Sequence, residues 1–398
     1  MTASTGTPHR SATDLKSLIY RPEVRQIAWQ LALVVALAFA GYWVVTNVAA
    51  NLRRQNIASG FDFLGRTAGF DISQSLIEYS NISTYGRSFW VGLLNTLLVA
   101  GLGIVAATVL GFLIGIARLS SNWLIAKLAA AYVETLRNIP LLLQLFFWYF
   151  AVLKSLPPPR QSYALPGGFF LNVRGLNVPA PVPQSGFWWV AAAFAGGLVL
   201  AAAIAWWAKR RQLLTGQRFP VFWTSLAVII GLPLVVFLAL GSPLSLEFPE
   251  LRGFNFQGGI NVQPELMALW VGLATYTASF IAEIVRSGIL GVPKGQSEAA
   301  AALGLSRGQA LRLVIVPQAA RIVIPPMTNQ YLNLTKNSSL AVAIGYPDFV
   351  SVFAGTVLNQ TGQAVEVILM TMGVYLLISL VTSTFMNWFN RYMALVER

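Results

Sequence analysis

Apolar runs approaching the roughly twenty residues needed to cross a bilayer recur near 27–49, 89–116, 134–153, 187–208, 219–241, 265–289, 322–345 and 365–388. The pattern predicts about eight transmembrane helices and an all-α integral membrane fold. After the third run comes Leu156-Pro157-Pro158-Pro159-Arg160, then a stretch rich in Pro and Gly up to about Gly186. Proline removes backbone donors and fixes φ, so this stretch is expected to be an irregular surface connection outside lipid. A second such loop, 242–264, holds Pro243 and Pro249. Runs four and five, with Trp188, Trp189, Trp206 and Trp207 near the predicted interfaces, form a hairpin around Lys209-Arg210-Arg211.

A hairpin adds two crossings, so removing it leaves every later span in the same orientation. It therefore reads as an insertion into a five-span core of runs two, three, six, seven and eight. On this pattern 1–87 holds a polar tail, the first span and an outer loop, and 88–153 the first part of the core. Residues 154–264 hold the inserted loops and hairpin, and 265–398 the second part of the core with a polar loop at 291–321. The first run ends at Val48-Ala49-Ala50, a weak cleavage pattern. That run is too long for a signal-peptide core, so a retained anchor is expected.

Composition agrees with a membrane protein, since charged residues make up 10% of the chain and hydrophobic ones 56%, outside the usual soluble balance. There is no cysteine, which excludes disulfides, thiol catalysis and thiolate metal sites. The one histidine, His9, lies in the polar N-terminal tail, and no metal site is expected. A net charge of +13 in a soluble protein would point to nucleic acid, but here position decides. Cations on the side of the termini, such as Arg118, Lys127, Lys209, Arg210, Arg211, Lys294, Arg307 and Arg312, outnumber those on the other side by roughly two to one. The excess places both termini and the 291–321 loop in the cytoplasm, and no nucleic-acid partner is expected.

The 291–321 loop has its own local logic. Pro293 suits a first helical turn, and Ser297 to Leu303 are mostly strong helix formers, with Glu298 near the N-terminal end, where a negative charge favours the dipole. Gly304 is a natural left-handed stop, and Ser306-Arg307-Gly308-Gln309 has the capping-box pattern. The reading is two short helices lying outside the membrane and joined at Gly304. The second, from Arg307 to about Val314, runs into Pro317, and Ala299, Ala300 and Ala302 form a small-residue face on the first. Such a face lets another surface approach the backbone closely, although an ordinary helical loop would read the same way.

Glu298-Ala299-Ala300, then Gly304, then Val314-Ile315-Val316-Pro317 resembles the EAA loop of permease subunits of binding-protein-dependent ABC importers, with Val314 and Val316 where that family has Ile and Leu. Glu283-Ile284-Val285-Arg286-Ser287-Gly288-Ile289, Arg137-Asn138-Ile139-Pro140 and Lys336-Asn337-Ser338-Ser339-Leu340 resemble the polar amino acid permeases. The added first span, the inserted hairpin and Ala341 to Asp348 are similar to the longer subunits of general L-amino-acid importers. The resemblance implies a coupling helix that seats in an ABC ATPase subunit, with ATP and Mg bound by that partner and no cofactor in this chain. It implies a second permease subunit, identical or homologous, a periplasmic amino-acid-binding protein, and residence among the lipids of a bacterial inner membrane. The chain has no Gly-x-x-x-x-Gly-Lys-[Ser/Thr] run, hence no P-loop, and no catalytic residue is expected.

Within the seventh run Asn329, Asn333, Lys336 and Asn337 fall on one helical face, adjoined by Ser338 and Ser339, and Pro325-Pro326 should distort the helix entrance. Ionisable groups inside a bilayer are functional candidates by default, so this stripe is a candidate translocation path or gate. Interhelical hydrogen bonding or a snorkelling lysine is the alternative. Glu134 with Arg137 and Glu283 with Arg286 are spaced to pair on one helix face, in a structural or gate-supporting role. Gly111 and Gly115 permit close helix packing. An ion-gradient-driven secondary transporter and a non-transporting membrane scaffold are the rival functions.

Overall fold

A computed structural model describes residues 22–54 and 59–393; His9, the rest of the tail up to Arg21, and Arg398 lie outside them. The principal helices are α1 (Pro22–Arg54), α2 (Tyr85–Ala117), α3 (Trp123–Asn138), α4 (Leu141–Leu153), α5 (Phe187–Thr215), α6 (Val221–Ala239), α7 (Pro264–Leu290), α8 (Lys294–Ala302), α9 (Arg307–Ala310), α10 (Val316–Asn337) and α11 (Ala364–Met393). Among the described residues seven helical segments are long and apolar enough to span a membrane, and the bent pair α3–α4 makes an eighth crossing if it counts as one span.

That third crossing differs from the expected straight helix over 134–153. The chain bends by 106° between α3 and α4. Pro140 lacks a backbone donor and pushes Ile139 out of the helical region, to φ −94 and ψ 125. The carbonyls freed at the end of α3 are satisfied by a side chain of the next helix: Gln144 Nε2 donates to the carbonyls of Leu136 and Ile139, both at 2.9 Å.

The core is built on α2 against α7. Leu266, Leu269, Leu273, Ile281 and Val285 lie on the buried side of α7, and two glycines of α2 let the backbones close together. A methyl group at Gly111 would lie 2.5 Å from Cγ2 of Ile281, and one at Gly115 would lie 2.7 Å from the carbonyl oxygen of Ala282. Lipid competes equally for apolar surface, so this closeness, with its dispersion contacts, holds the pair together. α10 crosses both helices with Ala319, Val323, Met327 and Leu334 turned inward. Beyond Ser338–Ile344, a tight turn at Gly345 (φ +77) leads to Phe349 and Phe353, which stack at 5.0 Å and meet Phe89 of α2 edge-on.

The loops around the hairpin are ordered rather than irregular. Strands β1 (Tyr163–Leu165), β2 (Phe169–Asn172), β3 (Gly175–Val178) and β8 (Ile260–Val262) form an antiparallel sheet that draws on both loops. β4 (Ala180–Pro183) pairs with β5 (Leu244–Glu247), and β6 (Glu250–Arg252) with β7 (Asn255–Gln257). The glycines that suggested an irregular connection make the turns: Gly167 and Gly168, with φ +87 and +79, lie in the three-residue loop 166–168 between the paired Leu165 and Phe169. Pro181 and Pro183 occupy a two-stranded ribbon, where an unpaired edge tolerates them. β8 runs directly into α7, which seats this small β unit at the end of the core opposite the 291–321 loop.

Candidate coupling loop and polar stripe

The loop leaves α7 through Pro293, and α8 ends in a Schellman turn at Gly304 (φ +73). Leu305 N donates to the carbonyl of Ala300 at 3.1 Å and Gly304 N to that of Ala301 at 2.9 Å, the 6→1 and 5→2 bonds that satisfy a helix C-terminus. Ser306 then caps α9. Its hydroxyl accepts from Gln309 N at 3.4 Å, and its own N–H donates to Gln309 Oε1 at 2.9 Å. The second helix does not stop at Pro317. It passes through a π-helical turn, Leu311–Ile315, directly into α10, with Pro317 just beyond that turn. α9, the π turn and α10 thus form one continuous rod, while α8 stands apart across the Gly304 turn.

Ala299, Ala300 and Ala302 do not share a face. Ala300 is buried, whereas Glu298, Ala299 and Ala302 point outward. Leu303 is 80% exposed, and Leu311 and Leu313 are also largely uncovered. A groove of about 820 Å³ runs between α8 and α9, lined by Val292, Ser297, Ala301, Leu305 and Leu311 among others. An uncovered leucine surface on a capped, rigid loop is the kind of patch that another protein covers.

In the membrane, Asn329, Asn333 and Lys336 of α10 point away from the chain's own core, and Asn337 is half-buried. Ser338 and Ser339 are satisfied locally, their hydroxyls donating to the carbonyls of Thr335 and Lys336 at 2.7 Å. The helix is continuous through Pro325 and Pro326. On its opposite side the Tyr331 hydroxyl meets Thr108 Oγ1 of α2 at 2.9 Å, so the helix presents an anchored face and an open polar one.

Glu283 holds Arg286 at 2.7 Å and also Arg118, at the end of α2, a partner that sequence spacing within one helix could not supply. Glu134 and Arg137 are not paired. Arg137 instead lies over the ring of Phe280 at 5.0 Å, which fastens α3 to α7. Sequence reading also missed a polar knot near the other end of α2. Asn95 Nδ2 donates to the carbonyls of Gln74 and Pro347 at 2.9 Å. The wholly buried Asp348 accepts from Ser351 N at 2.9 Å and from the Tyr375 hydroxyl at 3.2 Å. An Asp ahead of a helical run is a capping signal, but Asn95 inside an apolar run gave none.

Residues 209–395 match the family described as binding-protein-dependent transport system inner membrane component. The chain is 56% identical over 390 residues to the general L-amino acid transport system permease protein AapQ of Rhizobium johnstonii, covering 98% of this chain and 97% of that one. It is 53% identical over 391 residues to the putative amino-acid ABC transporter permease protein YhdX of Escherichia coli, with 98% and 100% covered. Identity to the glutamate/glutamine/aspartate/asparagine transport system permease protein BztB of Rhodobacter capsulatus is 38% over 422 residues, with 98% and 99% covered.

Proposed function

The chain belongs to the binding-protein-dependent transport system inner membrane components, among the longer amino-acid permease subunits, and we propose that it moves amino acids across a bacterial inner membrane on energy supplied by a partner ATPase. The observation that carries this reading is the open polar face of α10. Asn329, Asn333 and Lys336 lie in a helix of membrane-spanning length with nothing of their own chain over them. Lipid cannot satisfy an ammonium and two amides. A second permease subunit, identical or homologous, would close that face into a polar path, with Asn337 and the two serines at its end.

In this reading α8 is the coupling helix, seated in an ATPase subunit that binds ATP and Mg. Glu298, Ala299 and Leu303 form its outward surface, Ala300 packs it down, and Gly304 and Pro317 set its geometry. The pair Glu283–Arg286, with Arg118, and the contact of Arg137 on Phe280 hold the helices that must move together. Both ends of the chain lie in the cytoplasm, and a periplasmic amino-acid-binding protein delivers substrate at the far end of α7.

Reconstitution tests the proposal. Labelled amino acid should enter proteoliposomes only when this chain, its partner permease, ATPase subunits, ATP and the binding protein are all present. Uptake by the chain alone under an ion gradient would instead identify a secondary transporter. No uptake with the full set would leave a scaffold.

A further inference from the structure

From Thr135 to Leu246 the chain contains no Asp or Glu, yet the end of α5 and the turn after it hold Lys209, Arg210, Arg211 and Arg218. Among the described residues none of these four cations pairs with a carboxylate. α5 and α6 pack on each other, with Gly197 against the backbone of Val228 and Ile229, and neither helix contains an acid.

Depth and direction identify the missing counterion. A helical rise of about 1.5 Å per residue sets Trp188 and Trp206 about 27 Å apart, close to the ~30 Å hydrocarbon thickness. Trp206–Trp207 therefore marks the interface, and the cations begin within the next turn, at headgroup level. The Arg210 guanidinium lies over the Trp206 ring at 5.6 Å and that of Arg211 over Trp207 at 5.5 Å. Both are drawn back toward the membrane instead of reaching into water. Gly216 (φ +70) caps α5, and Arg211 Nη2 donates to Gln217 Oε1 at 2.7 Å, which closes the turn and returns Arg218 to the same end. We propose that this turn is a binding site for the phosphodiester headgroup of an anionic phospholipid, which anchors the inserted hairpin in the leaflet it faces.

Each cation near a membrane surface strengthens anionic binding about fivefold, so the four together should be decisive. The purified protein is washed with detergent and its retained lipid is read by native mass spectrometry, after addition of phosphatidylglycerol or phosphatidylcholine. Wild type should keep phosphatidylglycerol selectively, and K209Q/R210Q/R211Q/R218Q should lose at least tenfold of it. Equal retention by the variant, or equal retention of phosphatidylcholine, overturns the proposal, as does displacement by millimolar inorganic phosphate, which would mark a free-anion site. Should the variant fail to insert, wild type decides alone. A photoreactive phosphatidylglycerol headgroup should label 206–218, and labelling elsewhere, or cross-linking of this turn to a co-purifying protein, sinks the idea.

Discussion

The helix pairs α2–α7, which run parallel, and α5–α6, which run antiparallel, are all of membrane-spanning length, yet they are built by opposite rules. α7 holds Glu265, Glu283 and Arg286 and buries much of its length, whereas α6 carries no charged residue and buries none of its residues. In water apolarity predicts burial; here the more apolar helix is the more exposed. Lipid accepts any apolar side chain, so a helix that faces lipid needs only to be greasy. A helix that faces protein needs small residues at the crossing and polar partners across it. The core has both, in Gly111 and Gly115 and in the Arg118–Glu283 bond. The hairpin has one close approach, at Gly197, and cations with no acid.

The sharpest way to break this contrast is to place the same side chain in each pair. Gly115→Leu sets atoms against the carbonyl of Ala282, where even a methyl group would come to 2.7 Å, and should cost about 3 kcal/mol. Gly231→Leu in α6 meets open space and should be neutral or slightly stabilising. Melting midpoints in detergent would measure both, and equal effects would show that the two pairs do not differ as described. A smaller effect is expected where the core is made to resemble the hairpin. Asn333→Leu with Lys336→Leu would make the open face of α10 greasy like α6. The protein should fold and assemble normally while ATP-driven uptake falls at least tenfold, a barrier increase of about 1.4 kcal/mol. Unchanged uptake would remove those residues from the path.

The crossings were legible because lipid imposes a length and a polarity on every one of them. The loop caps were legible because Gly304 and the Ser306–Gln309 box act through bonds only a few residues long. What failed was each feature decided across distance or against a stronger local signal. The apolar run over 134–153 hid the bend, although Pro140 announced it and Gln144 supplied its cap. Proline and glycine in the outer loops were read as an irregular connection, although Gly167–Gly168 takes the positive φ of a hairpin loop. Tyr149 donating to Glu265 at 2.6 Å joins α4 to α7 across more than a hundred positions, and the Arg118–Glu283 bond spans still more. Spacing within one helix suggests partners three or four residues away, so it paired Glu134 with Arg137. It had no means of finding Phe280.

The smallest shifts, expected at Arg118 and Arg211, sharpen the contrast most when set beside Glu283. Glu283 serves two guanidiniums, so its neighbours are not equivalent. Glu283→Gln leaves Arg118 and Arg286 facing each other without a carboxylate, whereas Arg118→Gln leaves the Glu283–Arg286 pair intact. The glutamate substitution should therefore destabilise by about 2 kcal/mol and the arginine one by under ~1 kcal/mol, with a coupling near 1 kcal/mol in the double variant. Thermal stability of the three variants in the same detergent would give the cycle. In the hairpin, Arg211→Gln removes a cation that has no acid to lose, so in detergent free of anionic lipid it should shift the midpoint hardly at all. A coupling of zero in the core, or a loss at Arg211 as large as that at Glu283, would mean that charge placement does not separate the two pairs and that close backbone packing alone does.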